Sequence, residues 1–195
     1  DFACRPGRAV APHHASGIVI APSLAYMERA FFDAKLSGWA RAPIVEMLIP
    51  SVVDDSLAPA GMHVASLFCQ HVHPDLGSVL PGRTWDDARD EVAELMIDTV
   101  DAMAPGFRAS VVGRRALTPL DLEREFGLAG GDIFHGALGL DQLFATRPVL
   151  GAANYRMPVQ GLYLCGAGAH PGGGVTGIPG RNAAREILRD RKKGR

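Results

Sequence analysis

The chain has 195 residues, of which 47% are hydrophobic and 21% charged, and its formal net charge is -1. Such a length supports one large core or two small ones, and the composition excludes a disordered, collagenous or disulfide-scaffold chain. The balanced charge gives no basic field for nucleic acid, and no apolar run approaches the roughly 18 to 20 residues of a membrane span.

Cys4, Cys69 and Cys165 are odd in number, far apart and form no C-x-x-C pair. Free thiols of this kind suit a reducing compartment, read as the cytoplasm, or the mitochondrial matrix in a eukaryote. The opening residues, Asp1-Phe2-Ala3-Cys4-Arg5, have neither an initiator methionine nor an apolar signal region, so the chain is read as a piece of something longer.

In chain order, residues 1–16 are a turn-rich lead-in whose His13 and His14 are expected to be solvated, and residues 17–20 predict a short strand. Ser23 caps a helix predicted from Leu24 to about Leu36, with Leu24, Met27, Phe31 and Ala34 on one packing face. Residues 44–49 predict a strand ending at Pro50, and a loop over residues 51–61 leads to a long strand over residues 63–73. Alternation puts His63, Cys69, His71 and His73 on one face of that strand, a set able to ligate zinc or copper. Residues two apart stand about 6.6 Å from each other on a strand, so a polar cavity wall or an exposed face is the preferred reading and no metal is assigned.

Thr84 with Asp87 resembles a capping box, and Trp85, Ala88, Val92, Leu95, Met96, Thr99 and Met103 recur at helical spacing until Pro105-Gly106. The acidic face of that helix, including Asp86, Asp90, Glu91, Glu94 and Asp98, is expected to be solvated. Residues 107–117 predict another strand, and Thr118-Pro119 opens a short helix closed by Gly127. The loop over residues 130–136 carries Ile133 and Phe134, which suggests that it folds inward over a cavity or forms a buried connector. Asp141, Gln142, Phe144 and Arg147 follow closely behind it.

The most informative stretch is the last. Residues 162–165 predict a buried strand, seven glycines occupy the fifteen residues 166–180, and a helix follows. A loop between the C-terminal end of a strand and the N-terminus of a helix is where an α/β protein holds a phosphate. Gly172, Gly174 and Gly177 match G-x-G-x-x-G, but six residues separate the match from its strand and the chain ends before a second strand can follow. The match is therefore not read as a dinucleotide fingerprint, nor as a P-loop, since no Gly-Lys-Ser/Thr is present. What survives is one wall of a cofactor site whose main fingerprint lies elsewhere.

Leu162-Tyr163-Leu164-Cys165-Gly166-Ala167-Gly168-Ala169-His170-Pro171-Gly172-Gly173-Gly174-Val175 with Pro179-Gly180-Arg181-Asn182-Ala183-Ala184 resembles the C-terminal flavin-binding segment of phytoene-desaturase-like FAD-dependent oxidoreductases. The likeness extends to residues 130–136, 140–144 and Arg147-Pro148, and upstream to residues 49–51 and 56–59. It implies an α/β protein: residues 1–158 as part of an α+β substrate domain with a largely antiparallel sheet, and residues 159–195 as the C-terminal strand and helix of a Rossmann-like FAD-binding domain. It also implies FAD as cofactor, with Gly166, Ala167 and Gly168 near the pyrophosphate and ribityl chain, and Gly174, Val175, Thr176 and Gly177 near the isoalloxazine ring. The complete FAD site would need the part of the family that precedes this segment.

The implied chemistry is hydride transfer between an apolar organic substrate and the flavin. His170, titratable and set inside the motif, is a candidate for proton transfer or for stacking beside the flavin; His71, Phe134 and His135 are candidates for the substrate pocket. Exposed apolar surface would favour association, including a homo-oligomer. A different reading is a non-catalytic binding or assembly module derived from a truncated oxidoreductase.

Overall fold

The structure, a computed structural model, describes residues 11–194. The turn-rich reading of residues 1–10, with Cys4, lies outside the described residues. The chain divides into two compact units, one ending at Asp121 and the other beginning at Leu122.

The first unit is mixed helix and strand. Ile18–Ile20 (β1), Trp39–Leu48 (β2) and Ser66–Val72 (β3) form an antiparallel sheet in the order β1-β2-β3. The register sets Val45 opposite Ile20 and Cys69, and Met47 opposite Ile18 and Leu67. Because successive side chains point to opposite faces, Val45 and Met47 bury with Ile18 and Ile20, whereas Ile44 joins a separate cluster. The first face is closed by Val100 of the helix Trp85–Met103, and the second by Ala30 of the helix Leu24–Ser37 (α1) against Ala40 and Ile44. Each fully buried Val, Ile or Met contributes about 1.5 to 3 kcal/mol.

Helix α1 starts where Ser23 predicts, its hydroxyl accepting the Tyr26 N–H at 3.1 Å. Its packing differs from the expectation. Ala30 and Ala34 are buried, while Leu24 (82% exposed), Leu36 (76% exposed), Met27, Phe31 and Phe32 remain open. Small alanines let the helix backbone lie close to β2, and the larger apolar side chains fall beside that contact. The same face of the sheet stays partly open at Glu46, Leu48 and Phe68.

The strand expected over residues 63–73 is confined to β3. Ser51, buried, takes up the segment before it: its hydroxyl accepts the Val64 N–H at 2.9 Å and lies 3.1 Å from His63 Nδ1. After β3 come a single helical turn, Leu76–Val79 (α2), and the long helix Trp85–Met103 (α3). The Thr84/Asp87 capping box forms in both directions. Leu76, Trp85, Ala88 and Val92 make a further cluster, and the Trp85 indole donates to the His73 carbonyl at 2.9 Å.

The acidic face of α3 stays at the surface but is met by arginines: Arg108 pairs with Glu94 and Asp98, and Arg114 with Glu94 and Asp90. That pairing explains why the strand expected over residues 107–117 is absent. Asp101 accepts the Gly106 and Arg108 N–H groups, Phe107–Ser110 winds into a turn of helix (α4), and the Arg108 side chain is drawn back along α3. Pro119–Phe126 (α5) then starts as predicted, with Thr118 and Asp121 capping reciprocally and Arg89 donating to both Asp121 oxygens at 3.2 and 2.7 Å.

The second unit has one long helix, Ile178–Lys192 (α6), and is otherwise turns and short connections. Residues 162–165 do not form a buried sheet strand. Leu162 is 52% exposed, and the segment pairs only with residues 155–157, through Leu164 N–H to Tyr155 O at 2.9 Å and Met157 N–H to Leu162 O at 3.0 Å. Among the described residues no other strand lies alongside it, so only this two-stranded ladder forms. Arg156 fastens the ladder to α6 by donating to Asp190 and Glu186, and the Tyr163 hydroxyl donates to Asp190 at 2.8 Å.

Candidate functional site

The glycine segment, residues 166–177, is organised around a buried cation. Arg147 is 1% exposed, and its guanidinium donates to main-chain carbonyls alone: Ala167 through Nε at 3.1 Å and Nη2 at 2.7 Å, Phe134 at 3.3 Å and Ala137 at 3.5 Å. No carboxylate pairs with it among the described residues. Hydrogen bonds to a charged donor contribute about 1.5 to 3 kcal/mol each, which offsets part of the cost of taking the charge out of water.

Gly172 makes the close approach feasible. A Cβ there would stand 3.2 Å from Leu138 Cδ2 and 3.7 Å from Arg147 Nε, and its φ of +98° belongs to glycine. The loop expected over residues 130–136 to fold inward or be buried is instead exposed from Ile133 onward, and only the Phe134 and Ala137 carbonyls turn toward the Arg147 guanidinium.

The segment ends at α6. Gly177 (φ +68°) is the N-cap, Pro179 sits in the first turn where no donor is lost, and the Thr176 hydroxyl accepts the Ile178 N–H at 3.2 Å. Gly180 lies where an added Cβ would meet the Cys165 carbonyl at 3.7 Å. Tyr155 ties the two parts together: its hydroxyl donates to the His170 carbonyl at 2.8 Å and accepts from Asn182 Nδ2 at 2.8 Å.

The site residues predicted from sequence fall into two groups. Gly166, Ala167, Gly168, His170, Gly174, Val175, Thr176 and Gly177 all lie in the second unit along the segment held by Arg147. The backbone at residues 174–177 is exposed, and Val175 adopts φ +57° with its side chain fully in solvent. A β-branched residue in the left-handed region is strained, and such strain concentrates at functional loops.

His170 Nδ1 accepts the Phe144 N–H at 3.2 Å, so the neutral ring carries its proton on Nε2, and Phe144 covers one face at a centroid distance of 5.2 Å. His135 (φ +56°) and Phe134 belong to the loop around Arg147, where Asp132 accepts both the Phe134 N–H at 2.8 Å and the Gly136 N–H at 2.6 Å.

His71 lies in the first unit, its ring edge-on to Phe31 at 5.5 Å, and burial lowers its pKa. Burial pushes the Cys69 thiol up to about 12, so it is no ready thiolate. His63 faces Ser51 and His73 faces the Asp75 carbonyl, and among the described residues no three His, Cys, Asp or Glu side chains gather to hold a metal.

Sequence reasoning placed Arg147 only near a cavity and gave no role to Tyr155 or to the Arg156, Glu186 and Asp190 set. An arginine amid glycine and apolar residues, and an aspartate on the inner side of α6, were the available signals.

The start of α6 suits an anionic group. The segment presents glycine backbone at Gly174 and Gly177 at the start of a 15-residue helix whose first turn holds no acid, and nothing lies within 4 Å of the Cβ positions of Gly166 and Gly177. No helix among the described residues is long and apolar enough to cross a membrane.

No family model matches the chain. Among curated proteins it is 49% identical over 189 residues to pyridine nucleotide-disulfide oxidoreductase domain-containing protein 2 of Rattus norvegicus, covering 96% of this chain and 32% of the relative. It is 32% identical over 101 residues to a limonene dehydrogenase subunit of Castellaniella defragrans, covering 51% of this chain and 17% of that protein. It is 29% identical over 161 residues to phytoene desaturase (lycopene-forming) of Pseudescherichia vulneris, covering 77% of this chain and 30% of that protein. The chain thus spans about a third of the length of the rat relative it matches. Over nearly all of its own length the chain is thus homologous to the C-terminal portion of pyridine nucleotide-disulfide oxidoreductase domain-containing protein 2, and at lower identity to phytoene desaturase.

Proposed function

We propose that this chain is part of an FAD-dependent oxidoreductase that transfers hydride between an apolar organic substrate and the flavin. The observation that carries the reading is the exposed backbone of residues 174–177, with glycine at 174 and 177, at the N-terminus of α6, in a chain whose relatives are named as oxidoreductase, dehydrogenase and desaturase. The names limonene dehydrogenase and phytoene desaturase both specify hydrocarbon substrates, which supports an apolar one here. In this reading residues 1–158 lie toward the substrate and residues 159–195 toward the flavin.

FAD would supply the two-electron chemistry, and this chain would supply position and field. Gly166, Ala167 and Gly168 would hold the phosphate-bearing part. Gly174, Val175, Thr176 and Gly177 would approach the ring, where the positive end of α6 favours negative charge. With Nδ1 accepting the Phe144 N–H, neutral His170 presents Nε2–H as a hydrogen-bond donor beside the flavin and cannot accept a proton there. His71, Phe134 and His135 are proposed to line the substrate side.

Gly174 (φ +100°) tests the reading. When the chain is expressed with the remaining two-thirds of the length its rat relative carries, the purified protein should hold flavin, and Gly174→Val should lower flavin occupancy at least tenfold because a β-branched residue resists that conformation. Unchanged flavin absorbance in the variant would sink the assignment of this segment, and a full-length protein without flavin would favour a binding module.

A further inference from the structure

Arg147 carries a charge that the packing of the second unit alone does not require. A buried guanidinium whose partners are neutral carbonyls costs several kcal/mol in desolvation, and an apolar side chain of similar volume would fill the space without that cost. The direction of its hydrogen bonds shows what the charge can do. Two of its nitrogens, Nε and Nη2, converge on the Ala167 carbonyl at 3.1 and 2.7 Å. A trans peptide is planar, with its C=O and N–H antiparallel. Drawing the Ala167 oxygen toward Arg147 therefore turns the Gly168 N–H to the opposite side of the segment, and the cation on the oxygen end polarises that N–H further. Among the described residues the Gly168 N–H makes no hydrogen bond.

We propose that Arg147 is a positioning residue for the anionic, phosphate-bearing part of the cofactor: it fixes and polarises the Ala167-Gly168 peptide so that the Gly168 N–H faces a phosphate oxygen. This rests on the FAD reading above. A phosphate across the peptide balances the buried charge, so cofactor binding and Arg147 burial stabilise one another.

The test is FAD titration of the deflavinated full-length protein by fluorescence quenching, with thermal melting of the apoprotein as a second readout. Arg147→Met keeps volume without charge and should weaken FAD binding at least tenfold. Arg147→Lys keeps the charge but loses the fork, and should bind within about threefold of the parent protein, a rescue that a purely packing role for the fork would not give. A Met variant within threefold of the parent overturns the proposal, as does a Lys variant as weak as the Met variant. If the Met variant gives no cooperative melt, the Lys variant decides: retention of FAD within threefold supports the proposal, and a tenfold loss overturns it. Failure of the parent protein to bind FAD sinks the FAD reading, and this proposal with it. That result is distinct from a parent that binds and a Met variant that binds equally well.

Discussion

Each of the two units is stabilised internally, and by opposite means. In the first, Val45, Met47, Ile18, Ile20 and Val100, and again Leu76, Trp85, Ala88 and Val92, form apolar clusters on a sheet whose alternation assigns each side chain a face. In the second, the buried residues include Arg147 and Asp190, and the chain is fastened by hydrogen bonds converging on them. Apolar packing is non-directional and tolerates approximate fit, whereas polar anchors act only in one geometry. The difference teaches that the glycine-rich segment owes its shape to a few directional contacts, as a binding loop requires.

The largest expected effect that would break this contrast is at Trp85, which is buried and hydrogen-bonded to the His73 carbonyl. Trp85→Ala should cost about 3 to 5 kcal/mol in urea unfolding. A loss below about 1 kcal/mol would mean that the apolar clusters do not carry the first unit.

Gly172→Ala sharpens the contrast from the other side. Forcing a Cβ into the left-handed region costs about 1 to 2 kcal/mol, and the new methyl would stand 3.2 Å from Leu138. Limited proteolysis should then cut within residues 166–177 faster than in the parent chain, with the melting of the first unit unchanged. Equal cutting rates would show that the segment does not depend on this contact.

The smallest effect is confined to acid. Burial raises the Asp121 pKa, but the Thr118 N–H, Arg89 and the Thr118 hydroxyl outweigh it and bring the carboxyl down to about 2. A depressed carboxylate pKa stabilises the fold above the ordinary value of 3.8, and that contribution is lost as pH falls from about 4 toward 2. Asp121→Asn should flatten the acid-unfolding profile in that window. A profile with the same slope would remove this capping pair from the account of the first unit.

Much of the local structure is legible in the sequence because caps act over three or four residues. Ser23, Thr84 with Asp87, Thr118 with Asp121, and Pro179 each mark a helix start that the fold keeps. Periodicity reveals that α1 has an apolar face but not what covers it, and there the expectation failed at Leu24, Met27 and Phe31. The contacts that erased the strand over residues 107–117 join Arg108 and Arg114 to acids 10 to 24 positions away, beyond any local pattern. Arg147 escaped for a related reason: arginine ordinarily reads as surface, and its partners are carbonyls, which every residue type carries. The glycine segment itself was legible, while the charge that shapes it was not.

The hydrogen bonds of Arg147 also make a statement in polymer terms. They join positions 20 residues apart, so the chain from Arg147 to Ala167 is closed into a ring by its own guanidinium. The entropy of such closure grows only logarithmically with contour length, about 0.6 kcal/mol for each doubling. Extra residues placed on the exposed outer arc at Val149, Leu150 and Gly151 would therefore lengthen the ring at small cost. Lineages and engineers alike have room there to vary the surface while the glycine segment keeps its place.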